Sequence, residues 1–167
     1  MILYILRHGI AEDGPPAGGD DGARRLTARG RDKVRAAAVG MRALGLKLDA
    51  LLTSPLVRAA ETAELVAAAW SNAPKPETLA ALATGVSPAE TVSALKSYER
   101  HDQVMIVGHE PGLSSIASLL LTGSANSLAI DLKKCGLIAL KLPDGVGRGR
   151  AQLCWMLTPR QLRRLRK

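Results

Sequence analysis

The sequence predicts an α/β fold, helices layered on a mostly parallel sheet that carries an antiparallel portion. Three observations point there. Short apolar runs of strand length alternate with longer segments of helical character. Helix-opening residues (Thr27, Ser54-Pro55, Ser87-Pro88 and Pro111) punctuate that alternation. The last third then changes character, to two strand-like runs joined by a turn.

Taken in order, Ile2-Leu3-Tyr4-Ile5-Leu6 is a continuous apolar run and reads as a buried central strand. Residues 10–25 are rich in Gly, Pro and Asp and hold no regular element, which makes them a loop suited to touching a substrate. Thr27 is placed to cap a helix to about Leu44, with Gly45 stopping it. Residues 49–53 read as a second strand. Ser54 then caps a helix with Pro55 at its first position, running to about Ala69 with Arg58 in its first turn. A short strand is expected near residues 77–79, and a helix from Ser87-Pro88 to about Tyr98. Gln103–Gly108 is a strand, and Pro111 opens the helix after it. Residues 137–142 and 151–157 form strands joined through a Pro143-Asp144-Gly145 turn. There is no internal repeat. One domain is expected over residues 1–158, followed by a basic tail, 159–167, of one or two helical turns.

Composition narrows the function classes. A length of 167 residues suits one domain with a substantial core, and a hydrophobic fraction of 47% suits a globular chain. With no Phe, two Tyr and two Trp, the core is built from aliphatic residues, and little is left for stacking on bases. The net charge of +8 is concentrated in Arg24, Arg25, Arg29, Arg31, Lys33 and Arg35, and again in Arg160, Arg163, Arg164, Arg166 and Lys167. Most of these read as solvated, with attraction of an anionic substrate or acidic partner as the functional alternative. No motif supports nucleic-acid binding. Cys135 and Cys154 are too few and too far apart for a disulfide framework or a zinc site, and both are expected as buried thiols. No stretch approaches a membrane span, so a cytoplasmic protein is expected.

The first strand delivers Arg7-His8-Gly9 to the carboxyl edge of the sheet, where open α/β sheets bind ligands. The glycine is read as letting the backbone approach a ligand. Two strand-to-helix junctions, at Ser54-Pro55 and at His109 to Pro111, converge on the same edge. Together they gather Arg7, His8, Arg58 and His109. Arginine grips phosphate oxygens bidentately, and a neutral imidazole can attack phosphorus. The pattern points to phosphate chemistry.

Four segments in this order, Arg7-His8-Gly9, Leu26-Thr27-Ala28-Arg29-Gly30, the stretch from Ser54 to Ala63, and the stretch from Val107 to Ser114, resemble the histidine phosphatase superfamily. Within it they resemble the small SixA-type phosphohistidine phosphatases, over residues 1–158. The resemblance implies a three-layer α/β/α sandwich of the phosphoglycerate mutase type, without cofactor or metal. It implies His8 as the transiently phosphorylated nucleophile, Arg7 and Arg58 holding the phosphoryl oxygens, and His109 completing the pocket. Gly9 and Ser54 join them as substrate-binding candidates.

Each residue also has a plainer role available. Arg58 could pair with Glu61 at helical i,i+3 spacing, Ser54 could be only a cap, and His109 could cap a helix start. Arg24 and Arg25 read as solvated, although SixA-type proteins often carry an arginine there. His101 reads as an exposed loop residue. The three histidines are scattered and form no ligand spacing, so metal binding is rejected.

One departure from the wider superfamily bears on substrate. Its mutases and many phosphomonoesterases place an acid after the second arginine motif to protonate a leaving alkoxide. Here residues 78–85 contain none, and Glu77 and Glu90 only flank them. An imidazole leaves a phosphoramidate more readily than an alkoxide leaves an ester, so the site suits phosphohistidine. Glu12 or Asp13 remains available as a donor from the loop. The expected substrate is a phosphorylated protein. A small phosphoester is the alternative, and a non-catalytic phosphoprotein-binding module a further one.

Overall fold

The structure, a computed structural model, describes residues 1–165. The strands are β1 (Ile2–Arg7), β2 (Ala50–Thr53), β3 (Glu77–Thr78), β4 (Gln103–Gly108), β5 (Leu137–Lys141) and β6 (Gln152–Leu157). The helices are α1 (Ala28–Ala43), α2 (Val57–Ala67), α3 (Pro88–Leu95), α4 (Gly112–Thr122) and α5 (Pro159–Arg164). One sheet runs in the order β3-β2-β4-β1-β5-β6. Pairings among β3, β2, β4 and β1 are parallel, whereas β5 is antiparallel to both β1 and β6. This is the mixed three-layer architecture expected.

Side chains alternate across the sheet, and each face is covered. Leu3 and Ile5 of β1, with Val104 and Ile106 of β4, pack beneath α3 and α4 through Leu95, Leu113, Leu119 and Leu120. Tyr4 and Leu6, with Met105 and Val107, pack beneath α1, α2 and α5 through Val34, Met41, Ala63 and Leu162. Burial on both faces is why these strands read as continuous apolar runs. Parallel pairing sends the carboxyl ends of β1, β2 and β4 to one edge, where Arg7 ends β1, Ser54 follows β2 and His109 follows β4.

Three expectations need correction. Ser54-Pro55 does not open α2; that helix begins at Val57, and Leu56 precedes it without a side-chain cap. Cys154 is exposed, because β6 is an edge strand with one neighbour, while Cys135 is buried as expected. Residues 159–165 are not a solvated appendage, and Arg166 and Lys167 of the expected tail lie outside the described residues. Leu162 is fully buried against α1, and α5 approaches so closely that a Cβ on Gly40 would lie 1.9 Å from the Leu162 carbonyl oxygen. Among the described residues no helix is long and apolar enough to cross a membrane.

Candidate active site

Each element hands over one functional side chain. Arg7 ends β1, and His8 follows it, its N–H bonded to the Gly108 carbonyl at the end of β4. His109 therefore sits beside His8, with ring centroids 5.0 Å apart. Arg58 projects from the first turn of α2 and is 5% exposed. All four predicted residues are brought together.

His8 is buried and oriented. Its Nδ1 lies 2.7 Å from the Gly9 carbonyl oxygen, which can only accept, so Nδ1 carries the proton and Nε2 keeps its lone pair. Burial, opposed by the Gly9 bond and reinforced by His109, Arg58 and Arg7, pushes the His8 pKa down to about 3. His109 is pushed down to about 4, by burial first and then by Arg58. Both rings are neutral at pH 7.

Ser54 is fully buried, with its Oγ hydrogen-bonded to His109 Nε2 at 2.8 Å. It orients His109 rather than capping α2. Gly9 is likewise reassigned. Its N–H donates to Thr62 Oγ1, and a Cβ there would lie 2.6 Å from Val34 Cγ2. The glycine admits α1 to the end of β1, and its amide is not free for a substrate.

Arg58 does not pair with Glu61. Its guanidinium donates to the Asp21 carbonyl at 2.7 Å and to Asp21 Oδ2 at 2.9 Å. Glu61 instead receives Arg31 and the Leu26 amide. Arg24 bonds the other Asp21 oxygen at 2.8 Å and the Glu12 carbonyl at 2.7 Å, so it is tied into the loop rather than simply solvated. Together Arg24 and Arg58 hold the Asp21 carboxyl below its ordinary pKa. The loop is thus fastened to the pocket by Asp21, a residue the sequence reading passed over. Thr62 was missed too: it accepts from Gly9 and donates to the Arg58 carbonyl, linking the two halves of the site. His101 is half-buried beside the Tyr98 ring.

A cavity of about 390 Å³ opens beside His109, lined by residues 81–88 and the start of α4. As expected, residues 78–85 place no carboxylate there. Glu77 is engaged by the Tyr98 hydroxyl, and Glu90 caps α3 through Ser87. The one carboxylate on this cavity is Glu110, bonded to the amide and hydroxyl of Ser114. Glu12 accepts from the Arg25 amide and, like Asp13, is exposed. Two buried side-chain atoms among the described residues lack any hydrogen-bond partner, Arg7 Nε and His109 Nδ1. Both belong to this site. Among the described residues no three His, Cys, Asp or Glu side chains converge as metal ligands do.

Residues 3–84 match the model of the histidine phosphatase superfamily (branch 1). An uncharacterized protein of Picosynechococcus sp. is 36% identical over 143 residues, covering 84% of this chain and 85% of that protein. The chain belongs to the histidine phosphatase superfamily. Its fold superposes on the protein histidine phosphatase SixA, solved with tungstate, with a TM-score of 0.83 at 22% identity, covering 97% of this chain and 99% of that one. An α-ribazole phosphatase of Shigella flexneri matches at a TM-score of 0.77 and 18% identity, covering 95% and 97%. These likenesses carry the fold. Family membership makes the chain a histidine-based phosphatase acting on phosphorylated substrates.

Proposed function

We propose that the chain removes phosphate from phosphohistidine carried on a protein, through a covalent phosphohistidine at His8. The observation that carries this reading is the pair of unpartnered buried nitrogens, Arg7 Nε and His109 Nδ1, around a neutral imidazole. Buried polar atoms are almost always satisfied, so two orphans in one pocket call for an acceptor-rich ligand such as a phosphoryl group. With the Ser54 hydroxyl donating to His109 Nε2, His109 Nδ1 carries the ring proton and faces a phosphoryl oxygen. Arg7 and Arg58 share the remaining negative charge.

The His8 Nε2 lone pair attacks phosphorus in line as the bond to the substrate nitrogen breaks, and the departing imidazole takes a proton from solvent water. Water then attacks phosphorus, the His8–phosphorus bond breaks, and inorganic phosphate leaves with His8 restored. Glu110 supports a second reading. Its carboxyl group, on the cavity beside His109, is the candidate to pass a proton to a leaving alkoxide, which would suit a small phosphomonoester.

The test is hydrolysis of a phosphohistidine protein and of an aryl phosphate, with EDTA present, by wild type, His8→Ala and Glu110→Gln. Faster clearance of phosphohistidine, abolished in His8→Ala and untouched in Glu110→Gln, is the expected result. Preference for the ester, with a tenfold or greater loss in Glu110→Gln, would establish the metabolite reading. Binding without turnover would make the chain a phosphoprotein-binding module.

A further inference from the structure

A groove of about 550 Å³ shares Arg7 with the pocket, and the rest of its lining takes no part in the phosphoryl-transfer chemistry. Its charged lining is Arg7, Lys33, Lys133, Lys134, Arg160 and Arg163, with no carboxylate. These cations come from four separate places: the end of β1, α1, the loop before β5, and α5. Topology explains why they meet. Strand β6 runs antiparallel to β5 and so parallel to β1, which brings Thr158 and the start of α5 to the edge where Arg7 and His8 emerge. Among the described residues, Lys33, Lys134, Arg160 and Arg163 have no carboxylate partner, while Lys133 pairs with Asp131. Like charges held together repel one another, and among the described residues the Lys133–Asp131 pair is the one ion pair that offsets the repulsion here.

We infer that this groove docks an acidic face of the protein substrate beside its phosphorylated histidine, which deepens the phosphohistidine reading and rests on it. Arg7 belongs to both surfaces, so a phosphorylated side chain held at His8 brings the surrounding substrate surface over the groove. A single second anion on a small molecule needs one or two cations. Five beyond Arg7, spread over three elements, match several carboxylates presented on a surface. No aromatic side chain lines the groove, which leaves a nucleic acid nothing on which to stack its bases.

The test uses a peptide of Asp and Glu residues flanking one histidine, chemically phosphorylated, and the same peptide with Asn and Gln in place of the acids. Lys134→Glu/Arg160→Glu is the variant. Both positions are exposed and unpaired, and a carboxylate in the first turn of α5 favours that helix. Four rates are compared: each phosphopeptide, phosphohistidine itself, and an aryl phosphate. The expected result is a rise of about tenfold in KM for the acidic phosphopeptide, well beyond the smaller loss of long-range attraction shared by the other three substrates, with kcat unchanged throughout. Equal losses on all four substrates, or none on any, would overturn the docking role.

A binding arm separates this inference from the catalytic reading. Fluorescence anisotropy with the unphosphorylated acidic peptide, at low and high salt, needs no turnover. Salt-sensitive binding to wild type that the variant loses supports the groove even if phosphohistidine is not hydrolysed, in which case only the catalytic reading falls. Equal binding by both proteins, or displacement of the peptide by a single-stranded oligonucleotide at lower concentration than by unlabelled peptide, overturns it.

Discussion

At the residue scale the two neutral histidines set the protein's response to acid. In the unfolded chain an imidazole takes up its proton near pH 6.5. In the fold, burial holds His8 neutral to about pH 3 and His109 to about pH 4. Between those limits the unfolded state binds more protons than the native one, so stability rises with pH and falls as pH drops. The protection is complete above pH 6.5 and is lost progressively below it. At pH 5 each ring costs at most about 2 kcal/mol relative to pH 7. Denaturant unfolding of wild type at pH 7 and pH 5, beside His8→Asn/His109→Asn, checks this: the wild type loses more stability across the window than the double variant. Equal losses would mean that the two imidazoles are not held neutral by the fold. The same residues show what sequence alone reveals. Arg7, His8, Arg58 and His109, each with a plainer role available by itself, were legible because the strand-to-helix junctions gather them at one edge and four segments in order resemble the superfamily. Ser54 was not, because a serine before proline looks like a cap, and its partner lies 55 residues away. Asp21 and Thr62 act through contacts 37 and 53 residues distant in sequence, from positions with no local signature.

At the scale of elements, the apolar runs of β1 and β4 were legible because helices cover both faces. The same reasoning misplaced Cys154, since β6 is apolar yet lies at an edge, and a run of apolar residues does not say how many neighbours a strand has. Basic residues likewise masked the role of the last helix. In α5, Leu162 stands alone among polar and basic side chains, and its fit against Gly40 lies in no local pattern. Leu162→Ala is expected to destabilise the protein by about 2–5 kcal/mol, the cost of emptying a filled core site. Gly40→Ala forces α5 away from α1 and is expected to cost about 1–3 kcal/mol. Chemical denaturation of both variants is the check. Changes within about 0.5 kcal/mol, the range of ordinary surface substitutions, would mean that α5 contributes nothing to the fold.

At the scale of the whole molecule, charge and topology act together. The parallel part of the sheet brings three strand ends to one edge, and the antiparallel return through β5 and β6 adds a basic helix to the same edge. A net charge of +8 is therefore not spread evenly with respect to the pocket. A phosphate dianion approaching that edge is attracted over a distance set by the ionic strength, about 30 Å at 0.01 M and about 8 Å at 0.15 M. Attraction at range speeds encounter, whereas the contact of the buried Arg58 guanidinium with a bound phosphate is screened much less. Raising ionic strength from 0.01 to 0.15 M is therefore expected to lower kcat/KM for an aryl phosphate several-fold while leaving kcat unchanged. Steady-state rates across that range, at fixed pH and with a salt whose anion does not compete for the pocket, provide the measurement. A fall in kcat in step with kcat/KM would place the salt-sensitive contact inside the pocket, and the basic edge would then have no part in capturing the substrate.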